Sequence, residues 1–155
     1  ETGEIIPQQY VEKIKESASF LEGMATLRQL SFGILDMSYH AKVQTIDDVK
    51  DFEKQAMEIA SLYPDVAENC MSTSFSHIFQ GGYSSGYYSY KWAEVLDADA
   101  FAYFQEKGIF NKEVANKFKD NVLSKGGTEL PMELYKKFRG QEPKVEALLK
   151  RAGLI

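Results

Sequence analysis

The 155 residues suit a single domain, and a chain of this size buries roughly 68–70% of its unfolded surface, enough for a true core. With 44% hydrophobic, 26% charged and 13% aromatic residues, and only 11 glycines and 4 prolines, disordered, collagen-like and low-complexity readings fall away. The net charge of −5, from 18 basic and 23 acidic side chains spread along the chain, lacks the basic stripe that neutralises phosphates and argues against a nucleic-acid partner.

Apolar residues recur at helical spacing nearly throughout, and no sustained alternation of β-branched residues interrupts them, which predicts one all-α domain over residues 1–155. Pro7 suits a first helical turn, and Tyr10, Val11, Ile14 and Ala18 then form one stripe, broken at Gly23. A second helix carries Met24, Leu27, Leu30, Ile34, Leu35 and Met37 and ends near His40. Lys42 to Thr45 reads as a loop, after which Asp47 and Asp48 supply first-turn acids for a helix through Phe52, Met57, Ile59 and Leu62, stopped by Tyr63-Pro64.

Ser72-Thr73-Ser74 offers hydroxyl caps for a short helix ending near Phe79. The glycine-rich stretch Gln80 to Gly86 reads as a loop, and a long aromatic helix is predicted from about Tyr87 to Lys107, stopped at Gly108. Asn111 caps the next helix, which runs to about Lys125 before Gly126-Gly127. Pro131 opens a short helix closed by Gly140, and Pro143 opens a last one closed by Gly153.

No apolar stretch approaches the roughly 18 residues that span a bilayer, and no helix carries the Lys/Arg-rich polar face of a membrane-surface segment, so no membrane partner is expected. Cys70 is the single cysteine, which excludes an intramolecular disulfide and fits a reducing compartment, with the cytoplasm slightly favoured. The chain opens on Glu1-Thr2-Gly3-Glu4-Ile5-Ile6-Pro7, with neither an initiator Met nor a signal segment, and so reads as starting inside a longer protein.

The two histidines, His40 and His77, belong to no metal-binding spacing, and a catalytic zinc takes three protein ligands, so no metal is expected on this segment. His40 reads as a helix-end cation or a satisfied buried imidazole. His77 is followed by the glycines and by Tyr83, Tyr87, Tyr88 and Tyr90. Glycines let a loop lie close against an extended substrate, and neutral tyrosine hydroxyls can donate to a developing oxyanion. The spacing of Tyr83, Tyr87 and Tyr90 at i, i+4 and i+7 equally fits one core stripe of a helix.

The run from Phe75-Ser76-His77 through Gln80-Gly81-Gly82-Tyr83-Ser84-Ser85-Gly86-Tyr87-Tyr88-Ser89-Tyr90 to Trp92-Ala93-Glu94 closely resembles the C-terminal signature of the thimet oligopeptidase and peptidyl-dipeptidase (dipeptidyl carboxypeptidase) family of zinc peptidases. Further matches are Thr2-Gly3-Glu4 with Pro7, Leu35-Asp36-Met37 with His40, Asp48-Val49 with Phe52-Glu53, Asp99-Ala100-Phe101, Leu123 to Gly127, and Tyr135 with Phe138-Arg139-Gly140. The Gly-Tyr-x-x-Gly-Tyr-Tyr-x-Tyr arrangement looks more like the peptidyl-dipeptidase branch.

The resemblance implies the C-terminal part of the catalytic domain of a neurolysin-like helical peptidase that hydrolyses short peptides, with zinc held upstream by His-Glu-x-x-His and a further Glu, none of them in this chain. It matches Tyr90 to an oxyanion-stabilising tyrosine, His77 and Tyr83 to residues orienting the substrate backbone, and Gly81, Gly82 and Gly86 to an adjustable loop, with Tyr87 beside them. Arg139 is either an anchor for peptide carboxylates or a cap for its own helix. The segment alone is expected to be inactive and to bury its exposed apolar faces by self-association. The rival reading is a non-catalytic helical module that binds peptides or serves as a scaffold.

Overall fold

A computed structural model describes residues 3–41 and 45–155. It is helical, with no strand among the described residues, and the chain divides into two compact units, Glu1–Trp92 and Ala93–Ile155. The predicted loop at 42–44, and Glu1 and Thr2 of the opening motif, lie outside the described residues.

The first unit opens with α1, Gln8–Ser17, for which Pro7 is the flanking residue, with extended backbone at φ −58° and ψ 137° rather than a place inside the first turn. The expected break at Gly23 falls earlier. Leu21 takes the left-handed conformation at φ 57°, and Gly23 lies inside the first turn of α2, Glu22–His40. Helix α3, Val49–Met57, is short. Asp48 is its cap rather than a first-turn acid, accepting from the amides of Lys50 and Asp51, and a 3-10 turn at Glu58–Ala60 replaces the helix expected through Leu62.

Helices α2 and α3 pack on each other. Phe32, Leu35 and Ile78 are buried between elements of this unit, and the Phe32 ring meets those of Phe75 (5.2 Å) and Tyr87 (5.8 Å). The α1 stripe buries little, since Ile14 remains 61% exposed.

The predicted helix at 72–79 is two 3-10 turns, Met71–Thr73 and Ser76–Ile78, without a side-chain cap. The hydroxyls of Thr73 and Ser74 instead donate to the carbonyls of Cys70 and Met71. This arrangement follows from Glu53 of α3, whose carboxylate accepts from the amides of Met71 (2.8 Å) and Ser72 (2.6 Å) and from the Ser72 hydroxyl.

The second unit takes up most of α4, Ser89–Lys107, which stops where Gly108 turns to φ +99°. Asn111 caps α5, Lys112–Phe118, which widens into one π turn at Lys119–Leu123 instead of continuing as α-helix to Lys125. Helix α6, Pro131–Arg139, closes on Gly140 at φ +83°, and α7, Glu146–Arg151, starts three residues after Pro143. Val114, Tyr135 and Phe138 form its core with Leu96, Tyr103, Phe104 and Phe118 packed around them, and Phe138 is only 1% exposed.

Candidate functional site

The glycine-rich stretch is a loop, as its composition requires. Gly81 and Gly82 stand at φ +78° and +81°, the region where a Cβ is strained, and a Cβ on Gly86 would come 3.4 Å from the Tyr83 carbonyl oxygen. Ser84 donates its hydroxyl to the carbonyl of Ile78 at 2.6 Å, fastening the loop to the turn that carries His77.

Four of the singled-out side chains come together on this frame. The rings of Tyr83 and Tyr90 stack, with centroids 5.6 Å apart and planes 20° apart. Tyr87 lies 5.1 Å from Tyr90, and His77 lies 5.9 Å from Tyr83. Helix α4 begins only at Ser89, so Tyr83 and Tyr87 precede it and the three tyrosines are not one helical stripe. They are not core either, because Tyr83 and Tyr90 remain 38% and 42% exposed.

A hydrogen bond with Tyr83 raises the Tyr90 phenol above its ordinary value, helped by partial desolvation and the neighbouring phenols. Burial raises Tyr87 as well, and the nearby Arg28 charge only partly offsets it. Both hydroxyls therefore keep their protons at neutral pH and remain donors. The Tyr87 hydroxyl is placed by Gln29 of α2, 3.3 Å away.

Asp36, to which the sequence reading gave no role, organises the end of the loop. Its side chain is fully buried, and its carboxylate accepts the Ser85 amide on one oxygen and the Tyr87 amide on the other, each at 2.9 Å. Ser85 sits at φ +59°, a conformation that costs a residue with a Cβ roughly 1–2 kcal/mol. His40 completes the arrangement with Nδ1 2.9 Å from the same Asp36 carboxylate, donating from the ring, so it is a satisfied, partly buried imidazole. The i, i+4 spacing of Asp36 and His40 on one helix was the available signal.

Arg139 belongs to the other unit. Its guanidinium is only 11% exposed and already holds two carboxylates, Asp99 (3.2 Å) and Glu106 (3.0 Å), while lying 4.8 Å from the centre of the Tyr103 ring. Asp99 also accepts from the Tyr135 hydroxyl at 2.6 Å. Among the described residues this arginine's hydrogen bonds all go to these two internal carboxylates.

A zinc ion does not fit the described residues, because no three of their His, Cys, Asp and Glu side chains come together as a ligand set. Beside the tyrosines, α2 and α3 border an apolar groove of about 700 Å³ lined by Leu30, Ile34, Met37, Phe52, Ala56 and Tyr88.

Comparison with known proteins points to one family. The model of peptidase family M3 matches residues 1–154. Oligopeptidase A of Escherichia coli (strain K12) is 43% identical over 156 residues, 99% of this chain and 23% of that protein. Oligopeptidase A of Haemophilus influenzae is 44% identical over 161 residues, covering 100% of this chain and 23% of the relative. Dipeptidyl carboxypeptidase of Escherichia coli (strain K12) is 32% identical over 157 residues, 99% and 23% respectively. The chain therefore spans 23% of the length of each of these relatives.

Proposed function

We propose, for a chain that belongs to peptidase family M3, that it forms the substrate-binding and oxyanion-stabilising wall of a metallopeptidase acting on short peptides. The observation that carries this reading is the half-exposed stack of Tyr83, on a loop fixed by a buried carboxylate, with Tyr90 in the first turn of α4. Family M3 is zinc-dependent, and the described residues do not fit a zinc ion, so the chemistry assigned to this chain is confined to its own groups.

In this reading a peptide backbone lies along Gly81, Gly82 and Gly86, with His77 and Tyr83 orienting it and Tyr87 closing one side. Tyr90 donates its hydroxyl proton in a hydrogen bond to the carbonyl oxygen as negative charge develops there. A neutral donor is suited to this task, since it stabilises the charge without a fixed charge that would bind the ground state as strongly. Alone, the chain lacks a metal-activated nucleophile and is inactive. The exposed apolar residues of α1 and α2, such as Ile14 and Leu30, are then surface covered by the rest of a longer protein.

The test is Tyr90→Phe in the full-length protein that carries this chain. Loss of an oxyanion donor typically lowers kcat about 10²–10³-fold, and KM should hardly move because the bond strengthens only in the transition state. Wild-type kcat in that variant would remove Tyr90 from the reaction.

A second reading concerns the product. The Gly82-Tyr83-x-x-Gly86-Tyr87-Tyr88-x-Tyr90 arrangement supports release of dipeptides from peptide C-termini, whereas the higher identities belong to relatives named oligopeptidase A. Mass spectrometry of digests separates the two: successive C-terminal dipeptides support the first, and internal cleavage of a C-terminally amidated peptide overturns it.

A further inference from the structure

We propose that Asp36 is a positioning residue whose buried carboxylate, by binding the Ser85 and Tyr87 amides, holds the tyrosine loop in the register that presents the Tyr90 hydroxyl. The proposal rests on the reading of Tyr90 as the oxyanion donor. Its physical basis is independent of that reading.

A carboxylate that is completely buried is costly unless every oxygen is satisfied, and here two of its donors, the Ser85 and Tyr87 amides, come from outside its own helix. Ser85 and Tyr87 lie 49 and 51 residues further along the chain, yet each donates its amide at 2.9 Å. The two amides go to different oxygens, so the carboxylate plane fixes both the position and the twist of the chain between them. An amide side chain in its place would offer one acceptor and one donor and so could not accept both amides on separate atoms.

Three features show what is being held. Ser85 is in the left-handed region at φ +59°, strain that persists only where its surroundings impose it. Tyr87 follows two residues later, and its ring touches both Tyr90 (5.1 Å) and Phe75 (5.1 Å). Tyr90 is in the first turn of α4, which starts immediately beyond the clamp, and the Tyr90 amide bonds to the Tyr87 carbonyl at 3.2 Å. Fixing the Tyr87 amide therefore fixes the start of the helix that carries Tyr90. His40 supports the acid as well, with its ring donor on the oxygen that also takes the Ser85 amide.

The experiment is a double-mutant cycle in the full-length protein, with Asp36→Asn and Tyr90→Phe measured singly and together. Misplacement of a reacting group by an ångström or so costs up to about 100-fold, so Asp36→Asn is expected to lower kcat by about 10- to 100-fold with KM nearly unchanged. If Asp36 acts through Tyr90, it costs little further in the Tyr90→Phe background. Ser85→Gly should restore part of the lost kcat in Asp36→Asn, because glycine adopts the left-handed conformation without help.

Full multiplicativity of the two losses, or no rescue by Ser85→Gly, overturns the positioning role while leaving Tyr90 in place. Wild-type kcat in Tyr90→Phe alone overturns the functional reading instead. Hydrogen exchange of the unmutated protein decides the clamp without any variant: the Ser85 and Tyr87 amides should exchange well over tenfold more slowly than those of Gly81 and Gly82, and equal rates sink the proposal.

Discussion

The two units are stabilised in different ways. Residues 93–155 close around a ring cluster in which Phe138 meets Phe118 at 5.1 Å and Tyr103 at 5.5 Å, with helix ends set by local capping. The unit ending at Trp92 adds to its buried Phe32, Leu35 and Ile78 two carboxylates, Asp36 and Glu53, that reach from helices to the amides of distant loops. Apolar packing is roughly proportional to area and tolerates sliding, whereas a carboxylate with two amide donors has one satisfactory geometry. The unit that presents the candidate site is thus the one whose loops are held by directional bonds.

The largest stability change expected is in the ring cluster. Phe138→Ala removes a side chain 1% exposed and leaves a cavity among Tyr103, Phe104 and Phe118, at a cost of about 3–5 kcal/mol by urea denaturation. A cost below about 1 kcal/mol would mean that the cluster collapses freely and that the contrast between packing and clamping is false.

Glu53 should respond to acid where Phe138 does not. Burial on its own pushes this carboxyl up, but the hydrogen bonds from the Ser72 hydroxyl and from the amides of Met71 and Ser72, with the Cys70 thiol, outweigh it and hold the group below the ordinary glutamate value. The unfolded chain then binds a proton more readily than the folded one. The Glu53 contribution is complete above the ordinary glutamate value and is lost as pH falls through the lower folded value. Glu53→Gln should cost about 1.5–3 kcal/mol at neutral pH, and the difference between the two proteins should shrink in acid. A pH-independent difference would show that the carboxylate's charge has no part in the clamp.

The same division explains what was legible in the sequence. Helix stops at Gly108 and Gly140 and the cap at Asn111 depend on a few neighbouring residues, and chain order alone displays them. The tyrosine cluster was legible as a set of residues but not as geometry. Composition puts Tyr83 in a loop and starts the helix at about Tyr87, whereas α4 begins at Ser89, beyond the Ser85 and Tyr87 amides that Asp36 holds. Likewise the hydroxyls at 72–74 look like caps, but that of Ser72 donates to Glu53, 19 residues earlier, and those of Thr73 and Ser74 donate back to the carbonyls of Cys70 and Met71. A helix break expected at a glycine fell at Leu21, whose left-handed backbone no propensity announces.

The smallest expected effects compare one cap from each unit. Asp48 accepts the amides of Lys50 (2.8 Å) and Asp51 (2.9 Å) at the start of α3, and Asn111 accepts those of Glu113 (2.9 Å) and Val114 (3.3 Å) at the start of α5. Both satisfy two of the four amides that a helix start leaves unpaired, so Asp48→Ala and Asn111→Ala should each cost about 1 kcal/mol in thermal or urea unfolding. They differ in charge, since only the aspartate adds an attraction to the positive end of the helix dipole. Raising the salt concentration should therefore reduce the cost of Asp48→Ala and leave that of Asn111→Ala unchanged, because screening acts on the charge and not on the geometry. Equal salt dependence at the two sites would place the energy of both caps in their hydrogen bonds, and charge would then matter in the first unit only where, as at the buried Asp36, it is removed from water.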